Sequence, residues 1–387
     1  MSVRVDPNLP RDIAQYGGTT IAKCFNCGNC TAVCALSKED TVFPRKFIRY
    51  MQLGLKAKML ESIDPWLCYY CGDCSDTCPR EAQPGQLMMA SRRWLISMYD
   101  WTGLSRLMYR KGAWELGMLA LVAALVLGLF TWPENFGFRL LAQHPQARQT
   151  VNLAYFAPKE MVHWGDVTLA LLLGVFLLSN AVRMLYLTTR NGPSVPWSVY
   201  VLQLKELLVH ALTQKRWTQC SSDTTKHWLR HLFLVTAYGT MFLLVVVFLY
   251  WFQVEDSSFH WTSLFGYYAT LVLLGATLWI MRDRLEKKEQ IHKHSDLGDW
   301  LFVILLFLTG LTGILLHLFR LLNLPMPTYV MYLVHLMIAV PMLVVEVPFG
   351  KWAHLVYRPL AVYLAAVQKS ARALEPSGLR PSPVMTT

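Results

Sequence analysis

Eight of the nine cysteines stand in two runs of identical spacing, "CFNCGNCTAVC" from Cys24 to Cys34 and "CYYCGDCSDTC" from Cys68 to Cys78. Each reads C-x2-C-x2-C-x3-C, the ruler by which three thiolates of one run hold a cubane iron–sulfur cluster and the fourth crosses to its neighbour. The spacing therefore assigns Cys24, Cys27, Cys30 and Cys78 to one [4Fe-4S] cluster, and Cys68, Cys71, Cys74 and Cys34 to a second. Gly28 and Gly72 follow the second cysteine of each run, where a residue without Cβ lets the backbone turn tightly and aim amides at sulfur. Zinc is the competing reading. Its tetrahedral four-thiolate sites use two separated CxxC pairs, which leaves the third and fourth cysteines of each run surplus. Cys220, alone in a polar loop, reads as an incidental thiol.

A second set of candidates lies inside or at the ends of long apolar segments, where an ionisable side chain is costly and is by default a functional candidate. These are His163, His231, His317, His335 and His354. In "VHLMIAVPMLVVEVPFGKWAHLVYRP", His335 and His354 are nineteen residues apart, about 28 Å along a helix axis. One iron cannot take both, so they fit two haems at different depths. His231 matches the depth of His354, with His227 one turn earlier as a weaker alternative, and His163 or His317 matches that of His335. No C-x-x-C-H occurs, so the haem would be non-covalent, of b type. The competing reading is that these histidines cap helices at the headgroup layer, where a polar tip costs little. Glu346, eleven residues after His335 and on nearly the same helix face, is a candidate proton carrier. Asp166 and Lys159 are others. Glu346 could instead point to water or pair with Lys351.

The elements that must position these residues follow from composition. Of 387 residues 54% are hydrophobic and 16% charged, with mean hydropathy +0.32, too apolar for an ordinary soluble domain. The net charge of +11 does not gather into one basic patch with interleaved aromatics, so no nucleic-acid partner is expected. Six segments are long enough to cross a membrane: 113–132, 163–187, 231–252, 263–281, 300–319 and 329–349. Six crossings put both termini on one side. The flanks and loops on that side carry twenty-one Lys and Arg against four on the other, which places both termini in the cytosol. The N-terminus has no apolar signal core, and reduced cytosolic thiols favour metal use over disulfides.

Between the two runs, Phe47, Met51, Leu55 and Met59 recur every four residues, a helical stripe. "SRRWLISMYDWTGLSRLMYRKG" and "YVLQLKELLVHALTQKRW" mix an apolar face with basic residues, as interfacial helices do; Val201, Leu204, Leu207, Leu208 and Ala211 line one face of the second, suited to membrane lipid or a partner subunit. The chain from Ala371 onward reads as disordered. The expected architecture is all-α: a cytosolic α-helical two-cluster ferredoxin domain over 1–108, a six-helix transmembrane haem b domain of cytochrome b type over 109–360, and a flexible tail over 361–387.

"CFNCGNCTAVC", "FPRKFIRYMQLGL" and "WLCYYCGDCSDTCPREAQP" resemble the small iron–sulfur C subunit of heterodisulfide reductases over about the first ninety residues. The membrane part is similar, more loosely, to the cytochrome b (gamma-type) subunit of respiratory nitrate reductases and of membrane-bound heterodisulfide reductases, best in "HLFLVTAYG" from His231 and in the last segment. That resemblance implies haem ligands at His231, His335 and His354. The family's fourth ligand falls here on Met241, which leaves the outer haem's second ligand open among Met241, His163 and His317. The fusion of both parts resembles the C-subunit family of quinone-modifying (quinone-interacting membrane-bound) oxidoreductase complexes of sulfur-metabolising bacteria.

The resemblance implies a multi-pass component of a quinone-linked oxidoreductase in the bacterial cytoplasmic membrane. It would pass electrons between menaquinol or menaquinone and the cytosolic flavin-containing A and B subunits of the same complex, which work with adenylylsulfate reductase. The residues support part of this directly. There is no G-x-G-x-x-G, so hydride chemistry belongs to a partner, and no adjacent Cys-Cys pair of the kind carried by the catalytic disulfide-reducing subunit. Alternatives are the membrane subunit of a related heterodisulfide- or sulfite-reductase-linked complex, a redox sensor, and a structural anchor.

Overall fold

The computed structural model describes residues 4–38, 42–192, 194–214, 218, 224–287 and 290–374. Among them every regular element is helical, as the periodicities require, and the chain forms two compact units. One comprises Met1–Leu95, Ala181–Trp228 and His354–Thr387; the other comprises Ile96–Asn180 and Leu229–Ala353. Cys220, the side chain of His227 and the residues after Leu374 lie outside what is described.

In the first unit the two cysteine runs are carried on short helical turns around a core of Leu9, Ile13, Phe47, Met51, Met59, Trp66 and Trp94, all essentially inaccessible. Truncating a buried tryptophan of this kind costs about 3–5 kcal/mol. The stripe between the runs is not one helix but two, Arg45–Gln52 and Lys56–Glu61. They are separated at Gly54, whose φ of +68° ends the first. A Cβ there would stand 2.2 Å from the carbonyl oxygen of Asp6. Gly54→Ala is therefore expected to destabilise this unit by about 3 kcal/mol, read as a lower temperature for thermal loss of cluster absorbance in the full chain.

Of the stretch 91–112, expected to lie in the membrane interface, the first part is instead the buried end of helix Pro84–Tyr99, while the second forms helix Leu104–Arg110, which leaves Leu107 exposed. Leu87, Met88, Ser91, Trp94 and Leu95 are inaccessible because the short helices of the cluster domain have no other apolar face to close their core. The second expected interfacial segment does form one helix, Trp197–Thr213. It packs on helix His354–Leu374, where Gln203 Nε2 donates to Ser370 Oγ at 2.9 Å and Tyr363 Oη donates to the carbonyl of Tyr200 at 2.9 Å. Trp197, Leu202, Leu208 and Leu212 face outward, the arrangement an interfacial helix needs. The stretch 361–374 is helical, not part of a flexible tail.

Among the described residues six helices are long and apolar enough to cross a membrane: Gly112–Thr131, Lys159–Thr189, Trp228–Val247, Ser263–Glu286, Leu297–Leu321 and Pro325–Glu346, called the first to sixth spans below. Large side chains such as Leu121, Leu171 and Leu271 are more than half exposed on them, surface that lipid would cover. The sixth is the most enclosed, 44% buried against 11–22% for the others, although Met326 and Val330 near its start remain exposed. It does not run on into the next helix. Pro341 removes a backbone donor, the ladder widens to a π turn over Met342–Glu346, and Pro348 and Gly350 end it before helix His354–Leu374 begins. The expectation that His335 and His354 share one helix axis is thereby corrected, and so is the phase relation of His335 and Glu346 that assumed regular α geometry.

Candidate redox centres and their relatives

The two cysteine runs fold as copies of each other, 44 positions apart. Asn26 and Tyr70 both adopt left-handed backbone (φ 58° and 60°), Gly28 and Gly72 follow with φ 100° and 97°, and each glycine precedes a short helix, Asn29–Val33 or Asp73–Asp76. The turn at each run aims backbone N–H groups at sulfur. Asn26 N–H donates to Cys24 Sγ at 3.4 Å, Tyr70 N–H to Cys68 Sγ at 3.3 Å and Ala82 N–H to Cys78 Sγ at 3.4 Å. Such bonds favour the thiolate over the thiol and set the potential of a cluster it holds.

Proximity crosses the runs. Cys30 feels the charges of Cys24, Cys27 and Cys78, whereas Cys34 feels Cys68 and Cys71. Cys74 feels Cys68, Cys71 and Cys34, and Cys30 more weakly. Burial, first, and these neighbours, second, push the Cys34 thiol up to about 11 and raise Cys30 and Cys74; burial alone among the leading causes raises Cys68. Thiolates collected in so dry a place need a cation between them, which is what a cluster's irons provide. Around the first quartet there is a cradle of fitting kind: a small open pocket lined by Cys24, Cys27, Cys30 and Cys78 together with Gly28, Arg45 and Arg80. No three His, Cys, Asp or Glu groups among the described residues are arranged to hold a single metal ion. A cubane spreads its thiolates over four irons and so holds them further apart than one tetrahedral zinc does.

Two side chains that no motif singles out hold the cluster loops in place. Gln52 Nε2 donates to the carbonyls of Ile21 (3.3 Å) and Cys24 (2.7 Å). Arg92, on helix Pro84–Tyr99 and nearly inaccessible, donates through Nε to the carbonyl of Pro65 at 2.7 Å and through Nη2 to that of Cys68. Burial lowers the Arg92 guanidinium to about 10, opposed by the nearby Cys68 sulfur. Only the fold reveals these residues, since nothing in their local sequence marks them.

In the second unit, His335 on the sixth span has Nδ1 3.0 Å from the Thr312 hydroxyl, and Gly313 lies beneath its ring. A ring fixed through one nitrogen presents the other to a metal, the usual arrangement of a ligating histidine, so His335 fits a haem iron. His317 does not fit in the same way: its Nε2 is 2.7 Å from the Tyr267 hydroxyl, and Arg320 stands 3.5 Å from Nδ1. His163 packs on the Tyr250 ring at 4.8 Å and its buried Nδ1 has no hydrogen-bond partner. His231 lies near the start of the third span, and Met241, further along it, packs among Leu234, Tyr238 and Leu305 around an apolar core. His354 opens the following helix, in the other compact unit.

Glu346 closes the π turn of the sixth span and is 1% exposed. Its Oε2 accepts the Lys351 backbone N–H at 3.1 Å, while the Lys351 ammonium binds Asp299. Glu346 lies against Glu115 of the first span, a buried carboxyl that sequence alone does not single out. Gly350 makes the fold-back possible, since a Cβ there would meet Glu346 Oε2 at 2.2 Å. Lys159, by contrast, stands 3.8 Å from Glu255.

Comparison with known proteins places the N-terminal region. Residues 20–82 match the 4Fe-4S dicluster domain family. A protein of Archaeoglobus profundus described as like the C subunit of heterodisulfide reductase is 32% identical over 88 residues, covering 22% of this chain and 47% of that protein. The C subunit of the H2:CoB-CoM heterodisulfide,ferredoxin reductase of Methanothermobacter marburgensis is 30% identical over 79 residues, 20% of this chain and 43% of its own length. A CoB–CoM heterodisulfide reductase iron-sulfur protein of Methanocaldococcus jannaschii, the second of its C subunits, is 33% identical over 96 residues, 23% and 51% respectively. The chain thus spans about half the length of the relatives it matches, and no solved structure matches it. Residues 20–82 are accordingly a 4Fe-4S dicluster domain similar to the C subunits of heterodisulfide reductases, joined in one chain to six helices long and apolar enough to span a membrane.

Proposed function

We propose that the chain is the membrane electron-transfer component of a quinone-linked oxidoreductase. It would carry electrons between menaquinol or menaquinone and cytosolic flavin and iron–sulfur partner subunits, in sulfur metabolism coupled to adenylylsulfate reductase. The observation that carries this reading is the joining of a dicluster domain to membrane-length helices, on the most enclosed of which His335 is oriented by Thr312. The ligand sets proposed are Cys24, Cys27, Cys30 and Cys78 for one [4Fe-4S] cluster, Cys68, Cys71, Cys74 and Cys34 for the other, and His335, His231 and His354 for haem b. The proposed domain limits are 1–108 for the cluster domain and 109–360 for the haem domain, with both termini cytosolic.

When bound, the clusters and haem supply one-electron carriers. The chain's own residues do the rest. Amides at Cys24, Cys68 and Cys78 stabilise thiolate, Thr312 fixes the His335 ring, and the Glu115 and Glu346 carboxyls are buried against each other. That pair is the proposed proton carrier for quinol oxidation or quinone reduction.

The test is an optical spectrum of the purified complex in detergent, recorded oxidised and then after anaerobic addition of a menaquinol analogue, with haem quantified as the pyridine haemochrome. Rapid appearance of a b-type α band is the expected result. Absence of haem, or haem that only dithionite reduces, would overturn the quinol reading and favour an anchor or sensor.

A further inference from the structure

The two cluster loops are held by the same pair of hydrogen bonds from two different side chains. In the first run Gln52 donates to the carbonyl of the leading cysteine, Cys24, and to that of the residue three before it, Ile21. In the second, Arg92 donates to the carbonyl of Cys68 and to that of Pro65, again three before. The loops correspond in backbone as well, with the same left-handed positions at Asn26 and Tyr70 and at Gly28 and Gly72. What distinguishes them is charge. A neutral amide holds one loop and a guanidinium, nearly inaccessible to solvent, holds the other.

From this juxtaposition we infer that Arg92 is a positioning residue that sets the order of reduction, making the cluster of Cys68, Cys71, Cys74 and Cys34 the higher-potential one of the two. This rests on the two-cluster reading above. Reducing a cluster adds one negative charge, and a fixed positive charge beside it favours the reduced state. The strength of the effect depends on how dry the intervening space is, and per unit charge a buried group acts about four times as strongly as one in water.

Other charges near the loops must be weighed on the same scale. A second cation, Arg358, lies over the Tyr69 ring at 5.0 Å and also acts on Cys68, in the same direction as Arg92. Asp73 and Asp76 of the second run act in the opposite direction where the first run has Asn29 and Ala32, but Asp76 is exposed and Asp73 half-exposed. Arg45 and Arg80 edge the first cavity; Arg80 is exposed, stacked on Phe25, and Arg45 is only half-buried. Asp64, buried near the second loop, is paired with Lys46 at 3.4 Å. Solvent and salt screen the exposed members of this set and weaken the half-buried ones, which leaves Arg92, the nearly inaccessible cation, as the dominant difference between the two sites.

The inference is tested by potentiometric titration of the full chain in detergent, followed by electron paramagnetic resonance. Two cluster signals of different midpoint are expected in the unaltered protein. Arg92→Gln, which reproduces the side chain found at the first loop, is expected to shift the reduction equilibrium of the higher-potential cluster at least tenfold towards the oxidised form. For a one-electron couple that is about 59 mV. The other midpoint stays in place. Arg92→Lys keeps the charge and is expected to retain most of the wild-type midpoint, which a purely structural role for the guanidinium fork would not allow.

Gln52→Lys, at a half-buried position, is expected to raise the midpoint of the other signal. It thereby provides a test independent of how well the Arg92 variants fold. Unchanged midpoints in both Arg92→Gln and Gln52→Lys, equal shifts of both signals, or a shift of the lower-potential signal in Arg92→Gln would overturn the inference. Iron content short of two cubane clusters in the unaltered chain would instead fail the two-cluster reading, so the two failures are distinguishable.

Discussion

Cys78→Ser is expected to abolish the cluster built on the first run while leaving the second, and Cys34→Ser to do the reverse. Serine is a poor substitute because the ligand must be a thiolate. Each variant should therefore lose about half the iron and one of the two resonance signals. The reason for the reversal is the crossed proximity: Cys78 acts on Cys30 although 48 positions separate them, and Cys34 acts on Cys68 and Cys71. Which signal survives can be read independently of the iron count, because only the cluster beside Arg92 should respond to Arg92→Gln. Loss of the cluster belonging to the substituted residue's own run would refute the crossed pairing. Cys27→Ser and Cys71→Ser, at exposed positions, are the controls, each expected to remove only the cluster of its own run.

The second large effect is expected at His335. On the proposed haem assignment, His335→Ala should remove b-type absorbance, whereas His317→Ala should leave it. The distinction lies in what each ring already does: His335 is anchored through Nδ1 by Thr312 and leaves Nε2 for a metal, while His317 has Nε2 against the Tyr267 hydroxyl. Thr312→Val removes the anchor without touching the metal-facing nitrogen. It should weaken haem retention by about 10–100-fold, as loss of a ligand's orienting partner does, measured as haem per chain after graded detergent washing. Full haem content in His335→Ala would sink the assignment.

The eight cysteines and six spans are legible in the sequence because each signal is carried by residue type at fixed local spacing. Thiolate rulers and apolar runs need no tertiary information. The all-α class follows from the same periodicities. Gly54 breaks a stripe that looks continuous, because a four-residue recurrence survives a turn between two short helices that pack on one core. Residues 91–99 read as part of an interfacial stretch, yet are buried in helix Pro84–Tyr99, since an amphipathic pattern states only that one face is apolar, and not whether lipid or protein covers it. The last span reads on through Pro348 and Gly350 because hydropathy does not fall there, although backbone hydrogen bonding does. Glu115, Gln52 and Arg92 are invisible for a different reason: their importance comes from groups distant in sequence, Glu346, Cys24 and Cys68.

The crossing of the cysteine runs also has a bearing on biosynthesis. On the crossed pairing, a nascent chain that has emerged only as far as Leu67 offers three ligands to one cluster and one to the other, so neither can close. The second cluster's ligands are complete at Cys74 and the first's only at Cys78, so both clusters become possible within the same eleven-residue stretch of synthesis, Cys68 to Cys78. The dicluster domain would thus acquire its two metal centres together, with the apolar spans still to be made.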